Sequence, residues 1–247
     1  LNFFNDFYGE GIEWYRGHFP SAKDALKYKA IGEITPTYMA DAEVPSRILA
    51  HIPNARFIVI LRNPISRAYS EYTKSLRDSN FAGSFDQFVE RYDGVLARGR
   101  YTEQLQRFFR LFARDQFLVL VFEEAVSRHG ATIRRLAEFL EIDPNGFDLD
   151  RMKQRVNPSY LPRMPRLYSS YVRARQFLVK RKLGQVLTTA QKVGLLDAGR
   201  RIARFGGPRS ELPTIDERVR ERLSRFYSRE IRDLGELLGR ELSIWNR

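Results

Sequence analysis

The chain has 247 residues, 43% of them hydrophobic and 13% aromatic, enough apolar material for one large packed core or two small ones. It contains no cysteine and three scattered histidines, which excludes disulfides, zinc–thiolate sites and thiol catalysis and argues against a histidine-based metal site. The net charge of +12 is uneven: between Ser159 and Ser210 twelve Lys/Arg face Asp197 alone, so that segment carries +11 and the remainder +1. Such a field attracts polyanions, anionic lipid or a negatively charged substrate, although an Arg-rich solvated helical face would carry the same composition.

The longest apolar runs, FIVIL (57–61) and FLVLVF (117–122), fall well short of the ~20 residues of a membrane span, and no charged-then-apolar leader opens the chain. A cytoplasmic protein is the expectation. Because the first residue is Leu, a longer natural protein that begins upstream is expected too.

In chain order, Phe57–Leu61 reads as a buried parallel strand, followed by a helix from Pro64 to Arg77 with Asn63 as its cap and Pro64 at the first helical position. Ser84 and Gln87 form a capping box that opens a short helix. Tyr101, Leu105, Phe108, Phe109 and Phe112 recur at helical spacing on one face of the next. A second strand, Phe117–Phe122, precedes a helix near Ala131–Leu140. This strand–helix order predicts an α/β fold. Beyond Asp143 the strand signal stops; Pro-punctuated loops frame the basic region, and Thr214 with Glu217 reads as a second capping box. It opens a long amphipathic helix with Val219, Leu223, Phe226, Leu234 and Leu237 inward. The expected organisation is a single domain of residues 1–247: an α/β core over 1–150, a basic helical insertion over 159–210, and a C-terminal helix in 214–247 packed on the core.

Arg62 falls at the carboxyl end of the first strand, where open α/β sheets place ligands, and the next helix begins there with its positive dipole end and free N–H groups. The pattern predicts an anion site. Along that helix Ile65, Ala68, Tyr69, Tyr72 and Leu76 form an apolar stripe, and Ser66, Ser70, Thr73 and Arg77 a polar one beside it. Ser70 lies roughly 10 Å along the helix from its start, too far for one compact phosphate at the tip. The competing reading pairs Arg62 with a carboxylate and lets Ser70 merely pack.

The stretch FIVILRNPISRAYSEY resembles the sulfotransferase signature for the 3′-phosphate of 3′-phosphoadenosine 5′-phosphosulfate (PAPS), a strand-end Arg with a Ser eight positions later, as in Arg62 and Ser70. Four further segments resemble the same family in the same order, as in its carbohydrate-type and bacterial members: NFFNDFYGEGIEWYRGHFP, GEITPTYM, GRYTEQLQRFFRLF with FLVLVFEE, and LGELLGRELSIW. The resemblance implies a P-loop-like three-layer α/β fold with a central parallel sheet. It also implies transfer of a sulfuryl group from PAPS to a hydroxyl or amine of a carbohydrate, lipid or small-molecule acceptor, with the 3′,5′-bisphosphate PAP as product and no metal. Catalysis would then rest on positioning and on donors facing the transferred oxygens, with a base for the acceptor's proton.

The family's phosphosulfate loop, a Lys-x-Gly-Thr-Thr type segment, has no counterpart between Leu1 and Arg247, and its catalytic Glu would sit just before Leu1; both are expected upstream. Among the residues present Glu33, before TPTYM at an expected strand end, is the catalytic candidate, and an Arg-paired structural Glu is the alternative. His18 is a weaker candidate base. Trp14 and Tyr15 suit either sugar stacking or the core, and Glu123 and Glu124 read as structural. VNPSYLPRMPR resembles the basic loop of bacterial relatives, which makes Asn157, Ser159 and Arg163 cofactor-binding candidates, with Arg209 in GGPRS the competitor. The basic segment would form a lid or a platform for an anionic glycan, a glycolipid at a membrane surface or an acidic carrier protein. The rival readings are a basic nucleic-acid- or polyanion-binding module, for which no specific recognition motif is present, a catalytically degenerate sulfotransferase paralogue, and a P-loop kinase, whose Gly-Lys-Ser/Thr loop is missing.

Overall fold

The computed structural model describes residues 1–78, 81–147, 161–162, 170, 208–209 and 212–246. Its elements are α1 (Phe3–Asp6), α2 (Ile12–Arg16), α3 (Ala22–Ala25), α4 (Val44–His51), β1 (Phe57–Leu61), α5 (Pro64–Asp78), α6 (Phe85–Arg91), α7 (Asp93–Ala97), α8 (Tyr101–Phe109), β2 (Phe117–Val121), α9 (Phe122–Ser127), α10 (His129–Leu140), β3 (Leu161–Pro162), β4 (Pro208–Arg209) and α11 (Glu217–Leu238). Two compact units result, one of Leu1–Asn63, Arg100–Arg155 and Arg225–Arg247, the other of Pro64–Gly99 and Val156–Ser224.

In the first unit β1 and β2 pair in parallel, from Phe57 opposite Phe117 to Leu61 opposite Val121. Both strands are runs of branched and aromatic residues that fit a pleated, largely buried surface. The stacked rings of Phe57 and Phe117, with centroids 4.7 Å apart, begin the register. Leu118, Leu120, Val121 and Leu61 are buried, but Ile58 and Ile60 on the other face of β1 are 41% and 57% exposed. The expected burial on both faces is therefore met by β2 and on one face alone by β1. Expected strand residue Phe122 instead opens α9.

Two apolar clusters fill this unit. Phe3, Phe4, Tyr15, Val44, Ile48, Phe108 and Phe112 make one, tightened by Phe3 stacked on Tyr15 at 4.7 Å and edge-on to Phe4 at 4.9 Å. Leu61, Tyr101, Leu105, Val121, Leu234, Leu242 and Trp245 make the other. Burying each large side chain of this kind stabilises the fold by about 1.5–3 kcal/mol.

In the second unit the stripe of α5 buries Ile65, Ala68 and Tyr72 as expected, and Thr73 with them. Thr73 escapes the expected polar stripe because its hydroxyl donates to the Ser70 carbonyl at 3.0 Å, which leaves its methyl for the core. Tyr72 packs on Phe85 and Phe88 of α6, at 5.5 and 5.6 Å. The Ser84–Gln87 capping box forms as the sequence reads. Glu71 is pinned by Arg67 and Arg98.

The long helix departs from its expected start. It opens at Glu217 behind Asp216, whose carboxylate accepts the Arg218 N–H at 2.8 Å. Asp216 rather than Thr214 therefore caps α11, since a charged acceptor meets the helix's positive end more strongly than a hydroxyl does. Its inward face carries Tyr227, fully buried, where Phe226 was expected; Phe226 is 50% exposed. Tyr227 continues the four-residue spacing of Val219 and Leu223, which is why it wins the position.

Candidate nucleotide-phosphate site

The site is built at the carboxyl ends of β1 and β2. Because Leu61 sits opposite Val121, Arg62 and Phe122 leave the sheet side by side, and the guanidinium carbon lies 5.1 Å from the Phe122 ring centroid. Among the described residues no hydrogen-bond or ion-pair partner engages this guanidinium, so the carboxylate pairing that competed for Arg62 is not made there. A half-buried Arg resting on an aromatic face keeps its planar fork for a bidentate anion.

Around it the backbone is fixed at three points. The Tyr101 hydroxyl donates to the Arg62 carbonyl at 3.0 Å. The Asn63 N–H donates to Glu123 Oε1 at 2.9 Å, and the indole Nε1–H of Trp245 donates to Glu123 Oε2, also at 2.9 Å. The Asn63 side-chain amide closes the ring on the Trp245 carbonyl at 3.0 Å. Next to this ring Glu124 pairs with Arg240. Sequence reading took Glu123 and Glu124 as structural, and their partners, which lie 60 to 122 positions away, left no local signal.

Ser70 sits half-buried on α5 and belongs to the second unit, whereas Arg62 belongs to the first. Within the second unit the backbone of β3 runs beside α5 and pairs antiparallel with β4, Leu161 opposite Arg209. The two sequence segments that competed as the basic loop thus meet in one ladder. Asn157, Ser159 and Arg163 themselves lie outside the described residues, as does most of 159–210.

Glu33 does not end a strand; it stands in irregular chain before the 3-10 helix Pro36–Ala40. Its carboxylate accepts from the Tyr15 hydroxyl at 3.3 Å and the Thr35 hydroxyl at 3.1 Å. Burial, and then the nearby Glu33 charge, push the Tyr15 phenol up. Tyr38, whose oxygen accepts the Phe4 N–H at 3.2 Å, is pushed up to about 12, chiefly by burial. His18 is exposed and uses Nδ1 on the Trp14 carbonyl at 2.8 Å, and Trp14 packs on Phe3 and Phe7. Among the described residues no cluster of three or more His, Cys, Asp or Glu could hold a metal, and no helix is long and apolar enough to cross a membrane.

A parallel pair that carries an arginine at its carboxyl ends belongs to an α/β protein, and in open α/β sheets that edge is where ligands are placed. The comparisons specify which family. A family model described as the sulfotransferase domain matches residues 3–181, and the chain belongs to that family. Heparan sulfate glucosamine 3-O-sulfotransferase 6 of Mus musculus is 31% identical over 147 residues, which are 56% of this chain and 42% of that protein. Heparan sulfate glucosamine 3-O-sulfotransferase 3B1 of Mus musculus is 32% identical over 148 residues, 56% of this chain and 37% of that protein. The chain therefore matches about two fifths of the length of these relatives. The crystal structure of a sulfotransferase from Alicyclobacillus acidocaldarius superposes with a TM-score of 0.59 at 20% identity, covering 96% of this chain and 79% of that one. The fold is α/β of the P-loop-like sulfotransferase type.

Proposed function

We propose that this chain is part of a sulfotransferase that moves a sulfuryl group from PAPS to a hydroxyl or amine of a carbohydrate. The observation that carries the reading is Arg62: a strand-end guanidinium, half-buried on Phe122, with no protein anion claiming it among the described residues. The residues fit the donor's nucleotide end. Arg62 would grip the 3′-phosphate with paired N–H groups, and the Ser70 hydroxyl, eight positions on, would donate to the same phosphate. Asn157, Ser159 and Arg163 would close over it. PAPS supplies the sulfuryl group and a phosphate leaving group; the chain orients it and neutralises its charge. Glu33 would take the acceptor's proton, with the hydroxyls of Tyr15 and Thr35 holding its carboxylate in one orientation. The carbohydrate acceptor is supported by the names of the heparan sulfate relatives.

Calorimetric titration of adenosine 3′,5′-bisphosphate into the wild-type chain, Arg62→Ala and Ser70→Ala tests this reading. Loss of a charge-assisted pair is expected to weaken binding about 10- to 100-fold for Arg62→Ala, and loss of a neutral donor several-fold for Ser70→Ala. Unchanged affinity in both variants rejects the assignment. Labelled PAPS offered with glycans, lipids and small phenols reads the acceptor class; transfer to phenols alone rejects the carbohydrate reading.

A further inference from the structure

We infer that Glu123 is a positioning residue for the nucleotide-phosphate site, acting through Asn63 and braced by Trp245. The inference rests on the reading of Arg62 given above and goes beyond it.

Both oxygens of Glu123 are committed to protein donors. Its two oxygens are divided between two N–H donors, Asn63 and the Trp245 indole, each at 2.9 Å, and neither donor is a cation. A structural carboxylate in this family-sized core could have paired with an arginine, as neighbouring Glu124 does with Arg240. Glu123 instead holds the one peptide N–H that follows Arg62. That bond, with the Tyr101 bond to the Arg62 carbonyl, clamps the peptide between Arg62 and Asn63 from both its C=O and N–H sides. With that peptide plane fixed, the direction in which the Arg62 side chain leaves the chain is fixed as well. The clamp also turns the Asn63 N–H toward a carboxylate, so this amide is withheld from any phosphate and the guanidinium becomes the donor that decides binding. Trp245 holds the second oxygen and takes the Asn63 side-chain amide on its own carbonyl, which makes a closed ring of three residues and leaves the carboxylate no freedom to rotate away.

The chemistry gives a discriminating test. Glu123→Gln replaces one acceptor oxygen by an NH2, so a donor must face a donor, either Asn63 N–H or the indole N–H. Trp245→Phe removes one of those donors, and in the double variant the remaining amide oxygen can serve Asn63 alone. Adenosine 3′,5′-bisphosphate is titrated into the full chain and its variants, with thermal unfolding followed in parallel. The expected losses of affinity are about tenfold for Glu123→Gln and about threefold for Trp245→Phe, with Glu123→Gln/Trp245→Phe binding more tightly than Glu123→Gln alone. Glu124→Gln, which breaks only the Arg240 pair, is expected to lower the melting temperature and leave affinity unchanged.

Four results overturn the inference. Affinity within twofold of wild type in Glu123→Gln, while Arg62→Ala loses binding, removes the positioning role and leaves the phosphate reading standing. An equal loss in Glu124→Gln shows that general loosening of this corner, and not the clamp, is responsible. A double variant no better than Glu123→Gln rejects the donor clash. Unchanged binding in Arg62→Ala rejects the phosphate reading and this inference with it. If Glu123→Gln does not fold, Trp245→Phe decides alone: unchanged affinity overturns the inference, and the threefold loss without a matching loss in Glu124→Gln supports it.

Discussion

The buried phenol of Tyr101, 3% exposed, donates to the main-chain carbonyl of Arg62 at 3.0 Å. A helix that packs an apolar face thereby also holds the backbone of the proposed phosphate ligand. Tyr101→Phe keeps the packing and deletes the bond, so the expected cost is about 1 kcal/mol, or roughly 2–4 °C in melting temperature for a chain of this size. Differential scanning calorimetry reads it, and adenosine 3′,5′-bisphosphate affinity is expected to fall several-fold alongside.

Leu61 is fully buried in the cluster that joins β1 to Leu105, Val121 and Leu234. Leu61→Ala removes its transfer free energy and leaves a cavity at the base of Arg62, a loss of about 2–5 kcal/mol. Urea unfolding is expected to show a lower midpoint with an unchanged slope.

Alkaline pH is expected to destabilise the chain through its buried phenols. Tyr38 is pushed from 10.0 up to about 12 by burial, and Tyr15 is raised as well. The folded chain prefers these phenols un-ionised, so the stability they contribute is fully present below pH 10 and is lost as pH rises from 10 toward 12, where the unfolded chain ionises first. Melting temperatures taken from pH 9 upward are expected to fall more steeply for wild type than for Tyr38→Phe, and an identical slope rejects the account.

Gly239 ends α11 at a φ of +64°. The Arg240 N–H reaches the Gly235 carbonyl at 3.0 Å and the Gly239 N–H the Glu236 carbonyl at 3.2 Å, the paired bonds of a Schellman ending. A Cβ at Gly239 would meet nothing within 4 Å, so the cost of Gly239→Ala is conformational, about 1 kcal/mol. Chemical denaturation checks the value, and a larger loss would mean that the turn into Arg240 and Trp245 had moved.

Sequence periodicity located β1, α5 and the Ser84 cap because each is specified by neighbours: an apolar run stopped by Arg-Asn-Pro, a stripe every three or four residues, a hydroxyl three positions from a Gln. Arg62 was legible for the same reason, as the polar residue that ends an apolar run. At the start of α11 the Thr214–Glu217 spacing misled, because Asp216, a charged acceptor that the spacing did not single out, holds the Arg218 N–H instead. Thr73 misled because a hydroxyl that bonds its own helix packs like a methyl. Glu123 could not be found this way, since its role is set by Asn63 and Trp245, 60 and 122 positions distant.

The ring that joins Asn63 to Trp245 spans 182 positions. A ribosome adding about 5–20 residues per second needs roughly 10–40 s to cover that distance. Throughout that interval β1 and its terminal arginine are already made, while the last member of the clamp does not yet exist. On the proposed reading, competence to bind a nucleotide arrives late in synthesis, and nascent chains stalled short of Trp245 should hold Leu61 and its neighbours open to chaperones.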